Sequence, residues 1–265
     1  MDFETHVKTT LLSIISDMSS HASDFSSCPG KYFTRNRKLD FSSLIHLMLS
    51  MEAGTVRSEL LKYFSFSPDT VSNAAFFQQR SKLSDNTLPF LFHMFNSCFS
   101  YKLYRNKYQL LAVDGSSFTF TRNPDDKESY FCPNNKSSNG YNQIHLVPAF
   151  DILSKRFTDC IVQPIRLKNE FQAMADLIDR HNPQKGSVPI FIADRGFHSL
   201  NVFAHAIENN AFFLIRATDR KFDNLLLSDR PKEDTFDVQI QRILTRTKSK
   251  KKHLSPDKES LYKYV

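Results

Sequence analysis

The chain has 265 residues, enough for one large or two small domains, and its 40% hydrophobic content is enough for a packed core. Its formal charge of +7 and pI near 9.2 favour nucleic acid or acidic surfaces as partners. Cys28, Cys98, Cys132 and Cys160 lack zinc-knuckle spacing, no apolar run approaches the ~18 residues of a membrane span, and the acidic start Met1-Asp2-Phe3-Glu4 carries no signal-peptide pattern; a cytoplasmic protein with reduced thiols and no membrane partner is expected.

Residues 1–105 read as helical. Phe3, Val7, Leu11, Leu12 and Ile15 recur at helical spacing, and a loop from Ser19 to Gly30 follows. Lys31 to Lys38 is a basic segment carrying Arg35, Arg37 and Lys38. Phe41, Leu44, Ile45, Met48, Leu49 and Met51 resume the helical period, and Gly54 interrupts it before a helix over 56–64. Pro68-Asp69-Thr70 predicts a helix start, with Phe76, Phe77, Arg80 and Lys82 on a helix over 70–83. A last helix is expected over 89–99.

From Tyr108 the pattern becomes strand-like, over 109–114, 117–121, 144–153 and 157–165, with a turn at 151–155. A helix over 169–181 presents Phe171, Met174, Leu177 and Ile178 on one face; a strand over 188–193, a helix over 200–208 and a strand over 212–216 complete the pattern. Beyond Asp219 the signal weakens to a basic run over 242–253, read as a linker, and a featureless 256–265. Several antiparallel strands followed by alternating helix and strand is the layout of a ribonuclease-H-like sheet, in which the first strand lies beside the strand after the first helix. The fold expected is α/β: a helical, DNA-binding domain over 1–105, an incomplete ribonuclease-H-like core (a mixed sheet with flanking helices) over 106–220, and a truncated insertion or basic tail over 221–265.

That adjacency would bring together two aspartates. Asp114 ends Leu110-Leu111-Ala112-Val113, and Asp194 ends Pro189-Ile190-Phe191-Ile192-Ala193; taken singly each reads as a strand-end cap or turn residue, and the order of elements around them favours a metal site. Carboxylates at the carboxyl ends of buried strands sit where α/β proteins place their chemistry, and a pair of them can hold the divalent metal that phosphoryl transfer requires. Gly115 and Gly196 remove side-chain bulk next to each.

Asp114-Gly115-Ser116 after an apolar strand, Asn139-Gly140-Tyr141-Asn142-Gln143-Ile144-His145 leading into the next, and Ala193-Asp194-Arg195-Gly196-Phe197 together resemble the DDE transposases of bacterial insertion sequences, IS-four group. Phe76-Phe77-Gln78-Gln79-Arg80-Ser81-Lys82-Leu83 resembles that group's N-terminal region, and the resemblance spans about residues 30–220. It implies Mg²⁺-dependent strand cleavage at element ends, with Mn²⁺ as substitute, and joining of the freed 3′-hydroxyl to target DNA. Double-stranded DNA is then the partner, together with further copies of the chain or full-length transposase. Asp114 and Asp194 take the first two acid positions, as catalytic and metal-holding residues.

The third acid has no counterpart. The group places it within Tyr-x-x-Arg-x-x-x-Glu-x-x-x-x-x-x-Lys; Glu208 comes too early, and Glu233 and Glu259 lack the Tyr and Arg partners. A truncated transposase with weak or absent catalysis is therefore expected, and the rival reading is a non-catalytic DNA-binding fragment that occupies transposon ends or inhibits the full-length protein. A stand-alone nuclease is a third reading. Arg195 and Arg216 are candidates for phosphate contact, with a salt bridge as the alternative for Arg195. Arg80 and Lys82 are candidates for a DNA-reading helix face, with a solvated basic helix as the alternative. His145 reads as a satisfied core histidine, Asp151 and Asp159 as serving the hairpin turn and its flanks, and Asp176 and Asp179 as a solvated helix face.

Overall fold

A computed structural model describes residues 2–35, 37–133 and 138–217, with isolated positions between 231 and 239. The basic run at 242–253, Glu259 and the 256–265 segment lie outside the described residues. The chain divides into two compact units, 1–100 and 101–265.

The first unit is helical: α1 (Phe3–Ser20), α2 (Phe41–Ser50), α3 (Val56–Tyr63), α4 (Asn73–Arg80) and α5 (Thr87–Ser97). Four of these begin on side-chain caps, in which Asp2, Asp40, Thr55 and Ser72 accept from the backbone N–H of Thr5, Ser43, Ser58 and Ala75. Pro89 lies within the first turn of α5, where its missing N–H has no intrahelical partner to lose. Ile14, Ile15 and Met18 pack with Phe25, Phe41, Ile45 and Leu91, while Leu39, Leu44, Leu47, Leu60 and Phe76 form a second cluster. The helix expected over 70–83 is shorter than its pattern. Ser72 caps it and it stops at Arg80, so Lys82 lies beyond its end.

The second unit is built on β1 (Tyr108–Val113), β2 (Ser116–Phe120), β3 (Tyr130–Phe131), β4 (Tyr141–Asp151), β5 (Arg156–Pro164), β6 (Val188–Ala193) and β7 (Phe212–Ile215), with α6 (Glu170–Arg180) and α7 (Leu200–Glu208). β4 is long enough to be shared. One edge pairs with β2 and then β1, and the other pairs with β5, all antiparallel. β1 and β6 pair in parallel, as do β6 and β7, so the sheet is mixed. The first strand does lie beside the strand after the first helix. The two-residue β3, paired with the start of β4, was not foreseen; it is too short to carry a period.

Alternation along the strands selects the buried face. Leu111 and Val113 of β1, Val147 and Ala149 of β4 and Phe191 of β6 meet Ala173, Met174, Leu177 and Ile178 of α6 and Val202 and Ala206 of α7. Each large side chain so buried contributes about 1.5–3 kcal/mol. Two expectations need correction. Phe171 is 42% exposed rather than on the buried face of α6, because Ala173 takes that place. Asp179 is not merely solvated: its Oδ1 stands 2.8 Å from His205 Nδ1 and accepts from Asn209 Nδ2 at 2.9 Å, tying α6 to α7. Asp151 is fully buried and serves the hairpin turn as expected, accepting from Ser154 N at 2.7 Å and from Gln109 Nε2 at 2.9 Å. Asp159, on β5, is held by both Arg180 Nε and Nη2 at 2.5 Å.

Candidate active site

Register places the two aspartates together. Val113 pairs with Ala193 in the parallel β1–β6 ladder, and Ala193 pairs with Ile215 in the β6–β7 ladder. The next residues, Asp114, Asp194 and Arg216, therefore emerge side by side at one sheet edge, with neighbouring strands ~4.8 Å apart. All three are exposed.

Each aspartate is fixed by its own turn. Asp114 Oδ1 accepts from Gly115 N at 2.8 Å. Asp194 Oδ1 accepts from Gly196 N at 2.7 Å and caps a single turn of 3₁₀ helix, Arg195–Phe197. Phe197 is 2% exposed and anchors that turn in the core. A Cβ at Gly196 would stand 2.8 Å from Asp194 Oδ1, so glycine is what lets the carboxylate fold back onto the backbone. The second oxygen of each aspartate has no protein partner among the described residues. Hard carboxylate oxygens, side by side and facing solvent, suit a hard divalent cation.

Beneath Asp114 lies a polar chain that sequence reasoning missed. His145, 1% exposed on β4, has Nδ1 3.0 Å from Ser117 Oγ and Nε2 3.1 Å from Glu170 Oε1. The second contact is at ion-pair distance but off the line of the ring N–H, so Nε2 is buried without a hydrogen bond. His145 is a core histidine, as expected, with a polar group facing each ring nitrogen. Glu170 Oε1 also lies 3.0 Å from Lys168 Nζ. Burial, followed by the Lys168 charge, lowers the His145 pKa; Glu170 and Asp114 pull the other way. Gly115 permits this closeness, since a Cβ there would meet Glu170 Oε1 at 2.5 Å and His145 Nε2 at 2.7 Å. The signal that could have found Glu170 was its place at a capped helix start, after Asn169, whose side chain accepts from Gln172 N.

No group of three or more His, Cys, Asp or Glu among the described residues is gathered closely enough to hold a metal ion. Two carboxylates at one end of neighbouring strands could face one side of a cation, and among the described residues no third acid or histidine joins them.

In the first unit, Arg80 at the end of α4 stacks over Phe77, 5.1 Å from the ring centre, and is exposed. Lys82 donates to Gln79 Oε1 at 2.5 Å and stands 5.5 Å over the Tyr32 ring. It lines a concavity of about 460 Å³ with Lys31, Arg35, Arg37 and Asp40. Burial, then the Arg37 charge, lowers the Lys82 pKa. Arg195 is exposed beside Asp194. No helix among the described residues is long and apolar enough to cross a membrane.

The model of one protein family, described as the transposase DDE domain, matches residues 105–263. A comparison with curated proteins finds no match.

Proposed function

The chain belongs to the transposase DDE domain family, and on that premise we propose that it carries out Mg²⁺-dependent cleavage and strand transfer of transposon DNA, as a transposase of the IS-four type with a ribonuclease-H-like core. The observation that carries the reading is the emergence of Asp114 and Asp194 from neighbouring parallel strands at one sheet edge. Asp114 and Asp194 would hold the cation, each with one oxygen accepting from the backbone of its own turn. When bound, Mg²⁺ or Mn²⁺ supplies Lewis acidity that activates a water or 3′-hydroxyl and steadies the leaving oxygen. Arg195 and Arg216 flank the carboxylates on the same edge and take the scissile phosphate and its neighbours. Arg80, Lys82 and the cations around Tyr32 contact double-stranded DNA mainly through phosphates, which position without specifying sequence. Further copies of the chain, or a full-length transposase, complete the complex on paired ends.

A second reading is a non-catalytic protein that occupies transposon ends. It is favoured by the absence, among the described residues, of three gathered acids. One assay separates the two: Mg²⁺- or Mn²⁺-dependent nicking of DNA carrying the element's ends by the purified chain, by Asp114→Asn and by Asp194→Asn. On the first reading, nicking by the chain is weak and is lost in both variants. Nicking that survives in both variants would sink the assignment of the aspartates. Salt-sensitive binding without nicking would select the second reading.

A further inference from the structure

The walls of the concavity in the first unit are tied to each other through the backbone. Ser27 N donates to Lys82 O at 2.8 Å, and Ser84 N donates to Phe25 O at 2.9 Å. Gln79, 7% exposed, donates from Nε2 to Leu39 O at 2.8 Å, which leaves its Oε1 to accept from Lys82 Nζ. Lys82 and Lys31 both stand over the Tyr32 ring, 5.5 and 5.6 Å from its centre. Phe33 takes a left-handed backbone (φ 57°), a costly conformation for a bulky residue, and its ring is seated edge-on against Phe41. Strain of this kind gathers where a loop is shaped for a ligand. Lys31, Arg35, Arg37 and Lys82 line the space, and none of them forms an ion pair with a carboxylate among the described residues. Asp40, an acid of the lining, caps α2 by accepting from Ser43 N at 2.8 Å.

We propose that this concavity is a binding site for a phosphate monoester, the 5′-phosphate of a strand end or of a free nucleotide. The inference goes beyond the reading of these cations as contacts to duplex phosphates, and it is independent of the aspartate site. Duplex DNA is convex and presents singly charged diesters along its surface, so cations that serve its backbone suit a ridge or an open face. A concavity of about 460 Å³ admits a group that projects, and it falls within the ~300–1,000 Å³ of small-ligand sites. A phosphate monoester projects, carries about −1.5 to −2 at neutral pH and offers three strong acceptor oxygens. Two guanidinium and two ammonium groups match it, since arginine engages phosphate oxygens in pairs and lysine acts as a point charge. A carboxylate, with a single charge and two oxygens, would leave most of the cations uncompensated. Half-buried Lys82 gains most from a dianion, because burial leaves its charge poorly hydrated and Arg37 repels it.

The test has two arms, both with the full chain in chelator. In the first, a short single-stranded oligonucleotide labelled at its 3′ end is bound with a 5′-phosphate or a 5′-hydroxyl and read by fluorescence anisotropy. In the second, adenosine 5′-monophosphate and adenosine are titrated by calorimetry. The phosphorylated form is expected to bind ~10-fold more tightly in at least one arm. A preference in the first arm alone assigns the site to strand ends, and one in the second alone assigns it to free nucleotides. Arg37→Gln and Lys82→Gln should each remove most of the preference. Lys8→Gln, which removes the same charge from an exposed position on α1, should keep it. Melting is the fold control; if Lys82→Gln lowers the midpoint, exposed Arg37 decides. No preference in either arm, a preference that survives Arg37→Gln, or one that Lys8→Gln reduces equally would overturn the site. Any of these leaves the aspartates and the nicking assay untouched.

Discussion

Adding a single methyl group at Gly115 probes whether the His145–Glu170 pair is packed against the Asp114 turn. In Gly115→Ala the new Cβ would stand 2.5 Å from Glu170 Oε1, 2.7 Å from His145 Nε2 and 2.9 Å from His145 Cε1, where ordinary contacts begin near ~3.5 Å. Glu170 can swing toward solvent. His145 cannot, because its ring is 1% exposed and held by Ser117 Oγ at 3.0 Å. The clash must then be met by a shift of the β4 side chain or of the β1–β2 backbone. Overpacking of that kind costs about 1–3 kcal/mol. In a unit of this size ~2 kcal/mol lowers the melting midpoint by about 4–8 °C. The assay is thermal and urea denaturation of the full chain followed by far-ultraviolet circular dichroism. Gly115→Ala in a Glu170→Ala background should lose less, because one of the two clashing groups is gone, and a coupling of about 0.5 kcal/mol or more between the two changes is expected. Gly115→Ala melting with the unaltered chain would refute the packing argument, and with it the idea that glycine is needed at this position for space.

Acid should destabilise the second unit in part through His181. Its pKa is lowered from 6.5, first by burial, against the pull of Asp159 and Asp151, and its ring packs edge-on to Phe191. A histidine with a lowered folded pKa contributes stability that is complete above its unfolded value and is lost as pH falls toward the folded one. His181→Leu should therefore lose less stability than the unaltered chain between pH 7.5 and pH 5.5, as read from urea midpoints; equal losses would remove His181 from the account. Asp179→Ala takes away the acceptor that ties His205 and Asn209 of the α7 region to α6. It should cost about 1–2 kcal/mol, and a urea midpoint within error of the unaltered chain would show that the tie is not needed.

The local pattern determined a good deal by itself. Helical spacing announced α2 and α6, apolar runs announced β1 and β6, and the places of both aspartates at the ends of those strands could be read from the chain. The expected layout set the first strand beside the strand after the first helix of the sheet, and β1 and β6 do pair in parallel. Periodicity was less reliable where tertiary packing overrode it. Phe171 fits the helical period of α6 but faces water, and Lys82 fits the continuation of α4 but lies past its end. Glu170 and His145 were decided only by the tertiary structure. They are 25 residues apart, and neither lies next to an aspartate in the chain. What joins them is the antiparallel β2–β4 register, which sets Ser117 opposite His145, and the docking of α6 on the sheet, which brings its first residue over Gly115. Side-chain spacing along the chain encodes which face a residue takes. Which residue of another strand it meets is set by register, and register is a property of the folded sheet as a whole.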